Sequence, residues 1–78
     1  MTNQGMPLAM ARPGKLVTVV GVRAGRGLQR KLADMGLTPG VQIKVINSDM
    51  SGPVLIDLRG TRVAMGRGIA LKIAVREA

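Results

Sequence analysis

Glycine and proline punctuate this chain so densely that no long regular element fits between them. Arg12-Pro13-Gly14, Gly25-Arg26-Gly27, Thr38-Pro39-Gly40, Gly52-Pro53, Arg59-Gly60-Thr61 and Gly66-Arg67-Gly68 all read as breaks. Proline presets φ for the first corner of a turn, and glycine takes up backbone conformations that other residues avoid. The stretches between the breaks are short and dominated by Val, Ile and Leu, the composition of half-buried strands. At 78 residues the chain suffices for one small domain, which buries only about 60% of its unfolded surface.

Lys15 to Val22 reads as the first strand, with Leu16, Thr18, Val20 and Val22 on one face and Val17, Val19 and Gly21 on the other. Both faces are fairly apolar, as expected inside a closed or two-layer β structure. Leu28 to Met35 reads as a short helix, with Leu28, Leu32 and Met35 forming one stripe. Gly36 stands where a helix end requires a left-handed residue. The start of this helix lacks a Ser, Thr, Asp or Asn cap, so tertiary packing must hold it.

Val41 to Asn47 alternates, with Ile46 as the exception; Val54 to Arg59 alternates, with Val54, Ile56 and Leu58 on one face. Arg62 to Met65 and Ala70 to Arg76 complete the set, the last with Leu71, Ile73 and Val75 facing one way. The expectation is a mainly β chain: a small SH3-like β-barrel of about five strands, with one short helix after the first strand. An OB-like barrel is the second choice, because the early helix favours the former. Closure removes exposed edges economically at this size. Residues 1–12 are expected to form a flexible N-terminal tail, anchored late if at all by Leu8 or Met10, and residues 13–78 the single domain.

The absences narrow the chemistry. There is no His and no Cys, so Cys/His metal sites, the usual catalytic triads and thiol redox chemistry are excluded. The acids Asp34, Asp49, Asp57 and Glu77 are scattered, whereas a carboxylate pair or a hard-metal cage needs convergence. No catalytic residue, no metal site and no cofactor is expected, and the chain reads as a non-enzyme. No apolar run approaches the roughly 20 residues of a membrane span. The first residues do not have the basic-then-apolar order of a signal peptide. The expected location is the cytoplasm, which the lack of Cys fits.

Twelve Lys and Arg against four acids leave a net charge of +8. Such a balance favours an anionic partner: nucleic acid, phospholipid headgroups or an acidic protein face. There is no Phe, Tyr or Trp, so base stacking is left to Arg alone. Gly25-Arg26-Gly27-Leu28 ahead of a helix can hold a phosphate or be an ordinary strand-to-helix loop. Gly66-Arg67-Gly68-Ile69 echoes it, but is read as leading into a strand, so the echo counts as chance or as two similar basic turns. Arg59, Arg62 and Arg67, with Lys72 nearby, make either a solvated rim or an anion-binding edge. Met6, Met10, Met35, Met50 and Met65 read as core filler, with Met50 exposed as the alternative. Asp34 is expected beside Arg30 and Lys31 on the helix surface.

From Leu28 to Val75 the chain resembles the FeoA family. The resemblance is carried by Arg30-Lys31-Leu32, Met35-Gly36-Leu37-Thr38-Pro39-Gly40-Val41, Gly52-Pro53-Val54 with Ile56, Arg59-Gly60-Thr61-Arg62-Val63-Ala64-Met65-Gly66, Ala70 and Ile73-Ala74-Val75. Pro13-Gly14 and the strand to Val22 fit its beginning. The resemblance implies a cytosolic accessory protein of the FeoB-type GTPase-transporter of bacterial ferrous iron uptake, acting by protein contact. It implies no catalytic residues. It also implies a fold shared with the C-terminal domain of metal-dependent repressors.

On that reading the partner contact falls on the helix and its basic turn: Arg26, Leu28, Arg30, Lys31, Leu32 and Asp34. Gly36, Pro39, Gly40, Gly52, Pro53 and Gly60 shape turns. The high charge also permits attraction to the inner membrane surface, at about 1 kcal/mol per Lys or Arg near anionic lipid. The rival reading is a KOW-type RNA- or ribosome-binding module. The helix-end reading makes a direct prediction. Gly36→Val should cost at least about 1 kcal/mol, because a β-branched residue is strained at positive φ. An unchanged melting temperature would refute it.

Overall fold

A computed structural model describes residues 5–78. In chain order the elements are β1 (Met6–Pro7), a 3-10 turn (Leu8–Met10), β2 (Leu16–Val22), α1 (Arg26–Asp34), β3 (Gln42–Asn47), β4 (Val54–Leu58), β5 (Thr61–Met65), α2 (Arg67–Ala70) and β6 (Ile73–Glu77). The strands form one six-stranded sheet in the order β1-β6-β2-β3-β4-β5, with every neighbouring pair antiparallel. The sheet wraps one apolar cluster, which draws Val17 and Val19 from β2, Ile43 and Val45 from β3, Val54, Ile56 and Leu58 from β4, and Ile73 and Val75 from β6. This is the expected small SH3-like β architecture, with one additional very short strand.

The alternation expected for the middle strands holds. Ile43 and Val45 are buried with Gln42 and Lys44 exposed, and Val54, Ile56 and Leu58 are buried in turn. The lapse at Ile46 has a cause. The β3–β4 register jumps from Val45↔Ile56 to Asn47↔Leu55, so Ile46 is the extra residue of a bulge. A second bulge lies in β2, between Val19 and Gly21.

Turn chemistry explains the corners. In Arg12–Lys15 and Thr38–Val41 the fourth residue's N–H donates to the first carbonyl, at 3.3 and 3.1 Å. Proline stands second in each, and Gly14 (φ 84°) and Gly40 (φ 94°) stand third. That is the type II arrangement. The C-terminus of α1 behaves as expected: Gly36 sits at φ 97°. The Gly36 N–H donates to Ala33 O and the Leu37 N–H to Leu32 O, both at 2.9 Å, with Leu32 and Leu37 buried against the core. This paired bond with its apolar contact is the Schellman ending.

Three expectations are corrected. The first is the N-terminal tail of residues 1–12, whose first four residues lie outside the described ones. From Met6 onward the segment is part of the domain: Met6 and Pro7 pair with Val75 and Ala74. Leu8, Ala9 and Ala11 are buried, Leu8 completely. The apolar pattern here has the three-residue period of a 3-10 turn, too short to register as a repeat in the sequence. Of the two anchors considered, Leu8 serves and Met10 does not, being 66% exposed.

The second correction concerns the last strand. Residues 67–70 form the helical turn α2, and β6 begins only at Ile73. Leu71 is therefore exposed rather than sharing a face with Ile73 and Val75. The two Gly-Arg-Gly segments do the same job after all. Gly25 and Gly66 cap α1 and α2 with nearly identical φ (−65° and −66°) and extended ψ.

The third correction is α1 itself, which starts at Arg26 rather than Leu28 and ends at Asp34. Met35 becomes its C-cap and is 40% exposed, leaving the core stripe to Leu28 and Leu32. The helix start is secured by Gln29, whose side-chain amide donates to Ala24 O at 2.9 Å and Val22 O at 3.2 Å.

Arg67 fastens the N-terminal segment to the rest of the fold. Its guanidinium donates to Ser48 O (3.0 Å), Asp49 O (3.1 Å) and Ala9 O (3.3 Å), and the Ser48 hydroxyl donates to Ala11 O at 2.6 Å. One planar fork of donors thus joins the 3-10 turn, the β3–β4 loop and α2. Two mutational outcomes follow. Leu8→Ala should cost roughly 2–5 kcal/mol, whereas Met10→Ala should stay within about 0.5 kcal/mol, as read by urea unfolding. Arg67→Ala, which leaves three carbonyls without their charged donor, should cost about 1–3 kcal/mol, against about 0.5 kcal/mol or less for Arg62→Ala.

Candidate functional site

The residues expected to contact a partner fall into two groups. Arg26, Arg30, Lys31 and Asp34 are exposed on α1. Leu28 is half-buried against the core, and Leu32 is buried at 3% exposure. Leu32 is therefore corrected from partner contact to core. One turn of spacing puts it under the helix, where it closes the Schellman contact with Leu37 and has no surface left to offer.

The outward side of α1 borders two hollows. One is an open hollow of about 540 Å³ lined by Arg26, Gly27, Gln29, Arg30 and Ala33. The other, of about 290 Å³, is lined by Val22, Gln29, Ala33, Leu37, Thr38 and Pro39. Gln29 and Ala33 line both, so they form a low ridge with cations on one side and mainly apolar surface on the other. Pro39 and the type II turn thereby acquire a second use as a wall of the apolar hollow. Gln29 and Ala33 were not singled out from the sequence. The signal available for Gln29 was a long amide donor one turn into a helix that has no capping side chain.

The basic rim divides. Arg59 and Arg62 are exposed at the β4–β5 hairpin. Arg67 is removed from the rim: its guanidinium is occupied by the carbonyls of Ser48, Asp49 and Ala9. Arg59 and Gly60 form the two-residue loop between Leu58 and Thr61, with φ of 54° and 87°, and the Asp57 carboxylate accepts the Gly60 N–H at 2.7 Å. Both loop residues at positive φ is the pattern of a type I′ hairpin turn. Gly52 donates to Asp49 O at 3.2 Å and so closes the β3–β4 loop just before Pro53.

Of the methionines, Met65 is buried and Met6 packs partly against the core, while Met10 and Met35 are exposed, against the reading of them as filler, and Met50 is exposed, the alternative considered for it. Among the described residues no three Asp or Glu side chains gather in a way that would hold a metal ion. No helix of the described residues is long and apolar enough to cross a membrane.

Comparison with known proteins places this geometry. The FeoA domain family model matches residues 6–77, which includes β1 and the 3-10 turn. Over 72 residues the chain is 43% identical to a protein of Methanocaldococcus jannaschii named as an Fe(2+) transport protein A, covering 92% of this chain and 87% of that one. The crystal structure of an iron uptake regulatory protein, FeoA, superposes with a TM-score of 0.84 at 40% identity, covering 94% and 96% of the two chains. The solution structure of a FeoA protein from Chlorobium tepidum gives a TM-score of 0.81 at 30% identity, over 92% and 70%. The manganese-activated repressor ScaR shares the fold alone, with a TM-score of 0.86 at 20% identity, over all of this chain and 38% of that one. The match over nearly the whole chain, at this identity and on this fold, makes the chain a member of the FeoA family.

Proposed function

We propose that this protein is a non-enzymatic accessory of ferrous iron transport that acts in the cytoplasm by docking on the cytosolic domain of a FeoB-type membrane transporter. The relatives named for Fe(2+) transport and iron uptake support the process. The observation that carries the docking mode is the α1 ridge. It sets exposed Arg26 and Arg30 against an apolar hollow walled by Val22, Leu37 and Pro39. Charge beside apolar surface is how a contact combines steering with desolvated area. An aromatic-free chain has no proline-motif groove of the SH3 kind, so aliphatic surface and cations must carry the contact. The chain's own residue types are poor iron carriers, which leaves transport to the partner.

Capture by the immobilised soluble domain of a FeoB-type transporter tests the reading. Arg30→Glu combined with Lys31→Glu should weaken capture about tenfold or more, the equivalent of about 1.4 kcal/mol, with unfolding stability retained. Unchanged capture would remove α1 from the contact.

A further inference from the structure

We infer that the free edge of β5 takes an acidic, extended segment of a partner protein as an added strand.

The two ends of the sheet are treated differently. At one end β1 has only two residues, one of them Pro7, and the chain turns at once into the 3-10 turn. A short strand with proline is a blunted edge. At the other end β5 has five residues, no proline and a regular register against β4 without a bulge, from Leu58↔Thr61 to Val54↔Met65. It is an edge left fit for pairing.

The register says which groups it offers. The two-residue loop makes Leu58 and Thr61 a hydrogen-bonded pair. Pairs then alternate, so Arg62 and Ala64 turn their N–H and C=O away from β4. Both residues are exposed, and among the described residues neither takes part in any backbone bond on that side. A peptide strand matches this spacing of donors and acceptors.

Charge selects the occupant. Arg59, at the tip of the same hairpin, holds φ 54°, in the region where Gly, Asn and Asp are preferred. A cation is thus kept there at a conformational cost, beside exposed Arg62. Asp57, on the neighbouring strand, has one carboxylate oxygen engaged by the Gly60 N–H, and Lys44 and Arg62 are its cross-strand neighbours. The edge is accordingly basic. A second copy would bring together two chains that each carry a charge of +8, a repulsion that an acidic partner does not meet. An acidic segment meets complementary charge instead. This edge is three strands along the sheet from β2, the strand that leads into α1, so the inference does not rest on the α1 contact.

The test uses the whole chain, isotope-labelled for NMR, and a capped peptide of about eight alternating Glu and Val residues, an ordinary strand length. At about 150 mM salt, where long-range attraction is screened, the peptide should bind and slow exchange of the Arg62 and Ala64 amides at least about tenfold. The same peptide N-methylated at alternate amides, with equal charge, should not bind. Arg59→Gly with Arg62→Glu should weaken binding about tenfold, the scale of one charge-assisted hydrogen bond. Ala64→Pro, which deletes an edge N–H that β4 does not use, should abolish it; should that variant fail to fold, the N-methylated peptide on the unaltered protein decides the point. No binding, equal binding of the N-methylated peptide, or shifts confined to α1 would each overturn the inference. So would concentration-dependent protection of the same amides without peptide, which would assign the edge to a second copy.

Discussion

Burial of one aliphatic cluster is the interaction on which the molecule depends. There is no aromatic ring to fill volume in large steps and no disulfide to restrain the unfolded chain. The core must therefore be assembled from many medium-sized side chains that interlock closely. A sheet curled around them does this, because each strand contributes its alternate residues to the same interior. The consequence is that little of the chain can be spared. Leu8, from a segment that looks peripheral, and Ala70, from a four-residue helix, are as buried as any strand residue, and Ala9 nearly so. Arg67 then matters because it ties together three segments whose own secondary structure is too short to hold them.

This dependence also sorts the cations. A protein of charge +8 with so small a core cannot bury charge freely, and most of its Lys and Arg remain at the surface. The exception is instructive. Arg67 is drawn inward because carbonyls at the ends of short elements need donors, and a guanidinium supplies several in one plane. Five of the exposed cations, Arg26, Arg30, Lys31, Arg59 and Arg62, lie on α1 and at the β4–β5 hairpin, two regions that differ in what accompanies the charge. Beside α1 it is apolar side-chain surface, and beside the hairpin it is unpaired backbone. A contact made on the first would be read by side chains, and one made on the second by main-chain hydrogen bonds.

Residues 15–65 show what could be read directly. The strands there alternate visibly, and Gly36 and Gly40 announce their turns through the residues around them, since positive φ and a following Thr-Pro-Gly have few other uses. Even the lapse at Ile46 was a true signal, of a bulge. What could not be read lies where elements are shorter than the period that would reveal them. The 3-10 turn at Leu8–Met10 and the helical turn at Arg67–Ala70 each span about one turn, too little to show a stripe. Leu32 was legible as an apolar position on α1, but whether that side of the helix faced the barrel or a partner depended on where the helix docks.

The amino-acid sequence by itself determined the class of structure and the excluded chemistry. Turn residues set the corners, Val- and Ile-rich alternation set strands with one buried face, and the lack of His, Cys and aromatics closed off Cys/His metal sites, thiol chemistry and stacking on aromatic rings. These are local or compositional properties, and no distant residue can change them. Only the tertiary structure decided which cations are structural and which are free, that the N-terminal segment belongs to the core, and that β5 is left with an open edge. Each of those depends on how residues far apart in the chain are placed in space: Arg67 meets Ala9, Met6 meets Val75, and among the described residues β5 has no strand on its outer side.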